Sequence, residues 1–316
     1  MLIQSAETPD SPAIVIIPAH NAARTIARAI ASVMNQGLAA LVVDDGSTDN
    51  TASLADAAGA QVLTQLNSGP GAARNRGLAV AAARGAHALF LDADDELARS
   101  PDGATSLLAL LDGADSPAAA FGGHEQIQAN GHAKHNLPRA QWVSAGRLAH
   151  RADALGTDAV FCTTGLALSR RAITDGLRFD ERLWFGEDRD LIYRAAAIAS
   201  VAVTGHIIVR KHAEADRLTA SPRRTARWLS DVCLLAELHG PAGEAERAAL
   251  REQLSWVLKN TCRVLARQGQ CVDTALWVRA SRALTLIGGS VSIATRKWCW
   301  LGRLRSARAR GRPAPR

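Results

Sequence analysis

The chain has few cysteines, and their arrangement excludes two common roles. Among 316 residues there are only five, an odd number, and no two of them form a Cys-x-x-Cys pair. This pattern argues against a disulfide framework and against a zinc cage, and it suits a reducing compartment. The five are Cys162, Cys233, Cys262, Cys271 and Cys299.

Long apolar runs are also missing. No stretch of 18 or more apolar residues occurs, so no membrane-spanning helix is predicted. The first ten residues are polar and acidic, without the charged and apolar regions of a signal peptide. We therefore expect a cytoplasmic protein, and the 47% of hydrophobic residues is enough for a sizeable core.

Excess basic charge is absent from most of the chain. The formal net charge is +7, but eight basic residues and no acidic ones lie from residue 295 onward, so the rest is close to neutral. A nearly neutral body does not indicate a nucleic-acid-binding surface. The basic residues surround Trp298 and Trp300, which leaves two alternatives for this tail. It either contacts an anionic membrane surface from the inner side as a peripheral protein, or it is solvated.

Short apolar runs alternate with helix-like segments in the first hundred residues. This alternation predicts an α/β fold with a parallel sheet and right-handed crossovers. From Pro222 to about Ile287 the pattern is helical. The predicted strands are 13–17, 41–43, 61–63 and 88–91, and the predicted helices between them are 22–36, 52–58 and 72–84.

Carboxylates follow the fourth of these strands directly, in Leu91-Asp92-Ala93-Asp94-Asp95-Glu96. Ligands of open α/β sheets bind at the carboxyl ends of strands. Asp92 and Asp94 are two residues apart, so they point to the same side if the strand geometry continues. Carboxylate oxygens of this kind suit Mg²⁺ or Mn²⁺, usually shared with substrate phosphates. The sequence therefore predicts a site for a metal and a diphosphate.

Four other segments are ambiguous when each is taken alone. The run from Asp44 to Asp49 after the second strand fits a tight turn as well as a ribose or base contact. The glycines at 69 and 71, with Arg74, fit an ordinary loop as well as a ligand-binding one. The acids from Glu187 to Asp190 suit a helix N-terminus as well as a general base. His212 fits plain surface as well as a metal site.

Taken together and in this order, the motifs resemble those of family-2 glycosyltransferases with the GT-A fold. The resemblance covers about residues 12 to 215. It is carried by four segments: Ile16-Ile17-Pro18-Ala19-His20-Asn21, Val42 to Asp49, Gly71-Ala72-Ala73-Arg74-Asn75-Arg76-Gly77, and Leu91 to Asp95. One departure is His20, which stands before the Asn where the family often has an aromatic residue.

The resemblance implies a role for each matching residue. Asp94 and His212 would hold Mn²⁺ or Mg²⁺, and the Glu187-Asp188 pair would be the catalytic element, with Asp188 as general base. Contacts to the donor nucleotide and its sugar would come from Pro18, Asn21, Asp45, Arg74, Asp92 and Gly165.

The resemblance also implies an activity and a domain organisation. The expected protein is an inverting, metal-dependent glycosyltransferase that moves a sugar from a nucleotide-diphosphate donor, a UDP-sugar above all, to an acceptor hydroxyl. The acceptor would be a glycan or lipid-linked glycan in cell-surface polysaccharide or glycolipid synthesis. Two alternatives are a sugar-nucleotide-binding protein without transfer activity and a nucleotidyltransferase. The expected parts are a flexible N-terminus (1–11), a Rossmann-like GT-A domain (12–218) with a mainly parallel sheet, a helical region (219–294) and the basic tail (295–316).

Overall fold

The computed structural model describes residues 13–99, 103–128, 130–156, 162–212, 222–292, 295–298 and 300. The chain divides into two units. The first comprises residues 1–151, 160–181 and 191–213, and the second comprises residues 152–159, 182–190 and 214–316. The predicted boundary near residue 218 lies outside the described residues.

The first unit is built on one sheet. Its strands are β1 (Ala13–Ala19), β2 (Ala39–Asp44), β3 (Gln61–Thr64), β4 (His87–Phe90), β5 (Glu96–Leu97), β6 (Ala119–Ile127), β7 (Ala133–Asn136), β8 (Leu166–Leu168) and β9 (Val201–His212). Their order is β3-β2-β1-β4-β8-β6-β9-β5, with β7 paired to β6. The pairs among β1 to β4 and the pair β6-β9 are parallel. The α/β fold with a mainly parallel sheet is therefore confirmed.

Three short strands run against this direction. β8 is antiparallel to both β4 and β6, β5 is antiparallel to β9, and β7 forms a hairpin with β6. The sequence of residues 122–134 predicts either a hairpin or a loop, and the antiparallel pairing of β6 with β7 agrees with the hairpin. β5 has only two residues, which is too few for a periodic pattern to predict it. β8 has three and lies within residues 160–168, for which the sequence predicts a strand or a buried loop.

The helices that pack against the sheet of the first unit are α1 (Ile26–Met34), α2 (Thr51–Ala57), α3 (Pro70–Ala83), α4 (Ala104–Leu111), α5 (Ala140–Ala145) and α6 (Arg170–Thr174). The chain also forms a 3₁₀ helix (Arg151–Leu155) and α7 (Glu187–Ile198). The 3₁₀ helix and α7 each include residues of both units. α1 buries Ile26, Ala29, Ile30 and Val33, the spacing of one helix face. α3 approaches β1 so closely that a Cβ on Gly77 would lie 2.4 Å from Ile16 Cγ2.

The second unit is helical, as predicted for the C-terminal region. It contains α8 (Pro222–His239), α9 (Glu244–Arg267) and α10 (Thr274–Leu286), and α8 packs against both others. The Trp228 and Trp256 rings meet edge to face, with their centroids 5.3 Å apart. The guanidinium of Arg279 on α10 donates two hydrogen bonds of 2.8 Å to Glu237 on α8. None of the helices in the described residues is both long enough and apolar enough to cross a membrane.

Candidate functional site

Three carboxylates meet directly after β4. One oxygen from each of Asp92, Asp94 and Asp95 lies within 4.8 Å of the others. The strand ends at Phe90, and the Asp95 N–H donates to the Asp92 carbonyl at 3.1 Å. The strand geometry therefore does not continue, and the condition stated for Asp92 and Asp94 is not met. A tight turn brings the carboxylates together, and it adds Asp95 to the pair.

Two cations compensate the charge of this cluster. Arg74, which is 5% exposed, donates to Asp92 Oδ1 at 2.9 Å and lies over the Phe179 ring. The Lys211 ammonium lies 3.4 Å from Asp95 Oδ2 and 3.9 Å from Asp92 Oδ2. Burial opposes ionisation of Asp92, but Arg74 and Lys211 outweigh it and hold its pKa below the usual value. Asp92 is therefore an anion at neutral pH.

Asp95 is under the opposite influence. Its side chain is buried, with 2% of the residue exposed. Burial, supported by the charges of Asp92 and Asp94 and opposed by Lys211, raises the pKa of Asp95 to about 7. Among the described residues its Oδ2 atom has no hydrogen-bond partner, although it forms the ion pair with Lys211.

This donor set fits a divalent cation. All three side chains offer hard oxygen ligands, which Mg²⁺ and Mn²⁺ prefer. A buried carboxylate oxygen without a hydrogen bond is costly unless a cation is close to it. Asp92, Asp94 and Asp95 are thus the residues that would hold a metal, and the acidic cluster predicted from the sequence is present.

His212 lies at the edge of this cluster. Its backbone N–H donates to Asp95 Oδ1 at 3.3 Å, and its Nε2 atom lies 2.6 Å from Glu96 Oε1. Within the described residues, the group of ligand atoms that lie within 4.8 Å of one another contains the three aspartates and not the His212 imidazole. The role of His212 as a metal ligand stays a prediction.

The loops after β1 and β2 are tied together by Asn21. Its backbone has φ +51°, and its Oδ1 accepts from the Thr48 N–H at 2.9 Å. The Asn21 N–H donates to Ser47 Oγ at 2.9 Å. Pro18, which like Asn21 is predicted to contact the donor nucleotide, pairs in register with Val43 near the ends of β1 and β2.

Asp45 is held by protein donors. Its Oδ1 accepts from the Gln65 side chain and the Ser68 N–H, and its Oδ2 accepts from the Gly69 N–H, each at 2.8 Å. The carboxylate is 4% exposed. Since a carboxylate has about four acceptor positions, three of them serve to fix the loop before α3.

Gly165 lies beside the acidic turn. Its N–H donates to the Phe90 carbonyl at 2.8 Å, and the neighbouring Thr164 hydroxyl accepts from the Asp92 N–H at 3.2 Å. The Gly165 backbone has φ +86°, and a Cβ there would lie 3.0 Å from Val209 Cγ2. A glycine is therefore required for this loop to hold Asp92 in place.

Glu187 and Asp188 belong to the second unit and begin α7. Asp188 Oδ1 accepts from the Arg189 N–H at 2.7 Å. The segment before them is held by Asp231 on α8, whose Oδ2 accepts from the N–H groups of Trp184 and Phe185 at 3.0 and 3.1 Å. The catalytic assignment of Asp188 stays a prediction.

Sequence reasoning missed three side chains that support these groups. Lys211 compensates the acidic turn, Arg28 donates to the Asp94 carbonyl at 2.7 Å, and Asp231 holds the start of α7. Lys211 immediately precedes His212, a predicted site residue, so its charge could have been recognised from the sequence. Arg28 and Asp231 give no local signal, because each acts on a distant part of the sequence.

Comparisons with known proteins agree with this geometry. The family model described as "Glycosyl transferase family 2" matches residues 14–178, just over half of the chain. The succinoglycan biosynthesis protein ExoU of Rhizobium meliloti is 36% identical over 204 residues, 58% of this chain and 56% of ExoU. The glycosyltransferase AglJ of Haloferax volcanii is 48% identical over 67 residues, 21% of this chain and 22% of AglJ. The aligned part thus spans about half or less of these relatives.

A solved structure shares the fold. The mannosyltransferase PcManGT from Pyrobaculum calidifontis, in complex with GDP-Man and Mn²⁺, superposes with a TM-score of 0.55 at 17% identity. The match covers 94% of this chain and 86% of that one, so the predicted GT-A fold is confirmed. With the family match over the strands and loops that carry the acidic turn, the chain belongs to glycosyl transferase family 2.

Proposed function

We propose that the protein is an inverting glycosyltransferase that uses a metal ion and a nucleotide-diphosphate sugar. The observation that carries this proposal is the turn of three carboxylates with two compensating cations at the carboxyl end of β4, in a chain of this family. The carboxyl ends of parallel strands are where such folds bind ligands.

The donor is assigned to the first unit. Asp94, with Asp92 and Asp95 of the same turn, would hold Mn²⁺ or Mg²⁺, and His212 is proposed as a further ligand. When bound, the metal neutralises charge on the departing nucleoside diphosphate. Arg74 keeps Asp92 ionised and oriented, and Gly165 allows its loop to accept a hydrogen bond from the Asp92 N–H. Asn21 and Pro18 shape the edge of the sheet, at the ends of β1 and β2, that would receive the base. Asp45 keeps that edge in position and has one acceptor position left for a base or ribose.

The chemical step is assigned to Asp188 as general base, with Glu187 beside it. The acceptor oxygen attacks the anomeric carbon, its proton passes to Asp188, and the bond from that carbon to the diphosphate breaks. A single displacement inverts the configuration. Replacing Asp188 by Asn should reduce transfer by on the order of a thousandfold, as expected for a general base, while donor binding is unchanged. Full transfer activity in Asp188→Asn would remove this assignment.

The substrate class is a further part of the proposal. We favour a UDP-sugar as donor and a glycan or lipid-linked glycan as acceptor, in cell-surface polysaccharide or glycolipid synthesis. The name of the relative ExoU, a succinoglycan biosynthesis protein, supports the polysaccharide context.

We also propose that the protein is cytoplasmic and that its basic tail contacts the inner face of an anionic membrane. In the second unit, the Arg263 guanidinium lies 5.8 Å from the centre of the Trp298 ring, and Trp300 is 51% exposed. Interfacial tryptophans beside basic residues favour such a surface. Residues 301–316 lie outside the described part. Co-sedimentation with anionic vesicles tests the tail: binding by a chain ending at residue 294 that equals the full chain would contradict it.

Thermal unfolding with UDP, GDP and dTDP, each with and without Mn²⁺, tests the donor site. GDP is included because the PcManGT structure contains GDP-Man. A ligand that binds only the folded state stabilises it, by about 2.7 kcal/mol at a hundredfold excess over its Kd. We expect one nucleotide to raise the Tm, and to do so only when Mn²⁺ is also present. No rise with any nucleotide would contradict the donor site. Nucleotide binding without sugar transfer would favour a sugar-nucleotide-binding protein instead.

A further inference from the structure

Lys211 occupies an unusual position for a lysine. It lies one residue before the end of β9, and its ammonium is surrounded by Asp95 Oδ2 at 3.4 Å, Asp92 Oδ2 at 3.9 Å and Cys162 Sγ at 2.9 Å. Its side chain is 29% exposed. The ammonium therefore contacts two of the three carboxylates that would hold a divalent cation.

Lys211 brings a positive charge to the acidic turn. A lysine side chain ordinarily carries its charge at neutral pH, and this one lies beside the carboxylates of Asp92 and Asp95. A permanent positive charge next to two carboxylates reduces the repulsion within the acidic turn. It also opposes the approach of a second cation to the same oxygens.

The neighbouring cations lie closer to their carboxylate partners than Lys211 does. Arg74 donates to Asp92 Oδ1 at 2.9 Å, and Arg210 donates to Glu125 at 2.7 Å. Planar guanidinium groups in short hydrogen bonds have a fixed geometry, whereas an ammonium sits on a flexible four-carbon stem. The ion pairs of Lys211 with Asp95 and Asp92 are longer than these hydrogen bonds, and its short contact, 2.9 Å, is with the Cys162 sulfur and not with a carboxylate. The ammonium can therefore turn from the two carboxylates to a new anion with less disruption.

We propose that Lys211 is an internal counter-cation that competes with the metal for Asp92 and Asp95 and turns to the diphosphate when donor and metal arrive together. The second half of this inference rests on the proposed function. Its consequence is that metal alone binds weakly, because Lys211 neutralises the site. Metal binds tightly only with a nucleoside diphosphate, whose phosphates attract the ammonium away from the carboxylates. Lys211 is thus a positioning residue that couples metal binding to donor binding.

The competition is tested with Mn²⁺ alone, without any nucleotide. Free Mn²⁺ is measured by electron paramagnetic resonance in titrations of the full chain, of Lys211→Met and of Lys134→Met. Lys134 is an exposed lysine on β7 of the same unit, so its variant controls for loss of one positive charge. We expect Lys211→Met to bind Mn²⁺ about tenfold tighter than the wild type, a change of one decade in Kd. An unchanged or weaker affinity, or an equal gain in Lys134→Met, would overturn the competition.

The coupling is tested by repeating the titrations with saturating UDP, and in parallel with GDP. In the wild type we expect the better nucleotide to tighten Mn²⁺ binding by more than about tenfold. In Lys211→Met the tightening should be clearly smaller, because there is no competitor to displace and no ammonium to meet the phosphates. Equal tightening in both proteins would overturn the transfer of Lys211 to the diphosphate. If neither nucleotide tightens Mn²⁺ binding in the wild type, the coupling and the proposed donor site both fail, and the titration with Mn²⁺ alone still decides the competition.

Two further variants separate this role from general destabilisation. Lys211→Arg keeps the charge and should keep the weak affinity for Mn²⁺ alone. Lys211→Gln replaces Lys211→Met if the latter does not give a cooperative thermal transition. Tight binding of Mn²⁺ alone by Lys211→Arg would contradict a role for the charge.

Discussion

Two loops at the carboxyl edge of the same sheet carry adjacent aspartates, and their carboxylates have different kinds of partner. After β2, the Asp45 carboxylate accepts hydrogen bonds from Gln65, Ser68 and Gly69. After β4, Asp92 and Asp95 are compensated by the cations Arg74 and Lys211. An acid bound by N–H donors fixes a loop, whereas an acid in a cluster balanced by cations can exchange one cation for another. The partners of a carboxylate, more than its place at a strand end, therefore indicate a metal site.

The largest effect, on metal-dependent nucleotide binding, should come from removing Asp94, the central acid of the loop after β4. In Asp94→Ala we expect metal-dependent binding of UDP to fall on the order of a hundredfold or more, because a bound metal contributes several kcal/mol to neutralising phosphate charge. Calorimetric titration of UDP with Mn²⁺ measures it. Asp56→Ala, which removes an exposed acid from α2, is the control. Unchanged metal-dependent affinity in Asp94→Ala would remove this assignment.

In the loop after β2, removing the aspartate should lower the stability of the fold and leave metal binding unchanged. In Asp45→Ala the N–H groups of Ser68 and Gly69 lose their acceptor, so we expect the free energy of unfolding to fall by about 3 kcal/mol. Urea denaturation measures it. Binding of Mn²⁺ alone should be the same as in the wild type. A large loss of Mn²⁺ affinity with little change in stability would reverse the distinction between the two loops.

A smaller effect is expected where the second loop is supported by backbone geometry. Gly165→Ala places a Cβ 3.0 Å from Val209 Cγ2 at a backbone φ of +86°, and should lower stability by about 2 kcal/mol. Gly176→Ala is a matched control, because its φ is +90° and a Cβ there meets no atom of the described residues within 4 Å. A greater loss in Gly165→Ala than in Gly176→Ala, by denaturation, would isolate the contact. Equal losses would mean that the strain is in the backbone alone.

The smallest effect is expected at the link between the first loops. Asn21→Gly keeps the positive φ of this residue but removes its amide, which accepts from Thr48. We expect a loss of about 1 kcal/mol in the free energy of unfolding, with metal binding unchanged. Thermal and urea denaturation measure the loss. No change in stability would show that the Ser47 and Thr51 hydroxyls, which accept from the N–H groups of Asn21 and Ala22, are sufficient.

Local patterns in the sequence determined much of this fold. Mostly apolar runs of three to five residues predicted β1, β2, β3 and β4 within a few residues, because a buried parallel strand must be apolar on both faces. Helical spacing in the same way predicted α1 and the C-terminal helices, though the helix predicted over 22–36 is the shorter α1 (26–34). The acids after β4 were visible because their position depends only on where that strand ends.

Only the tertiary structure decided how those acids are used. Lys211 reaches Asp92 and Asp95 because β9 pairs with β6 and β5, pairings between segments far apart in sequence. Arg74 reaches Asp92 from α3, and the turn that adds Asp95 replaces the strand that alternation assumed. The residue types and their order were thus set by local chemistry, which the sequence records. The partners of each charge were set by long-range pairing of strands and helices, which leaves no local pattern.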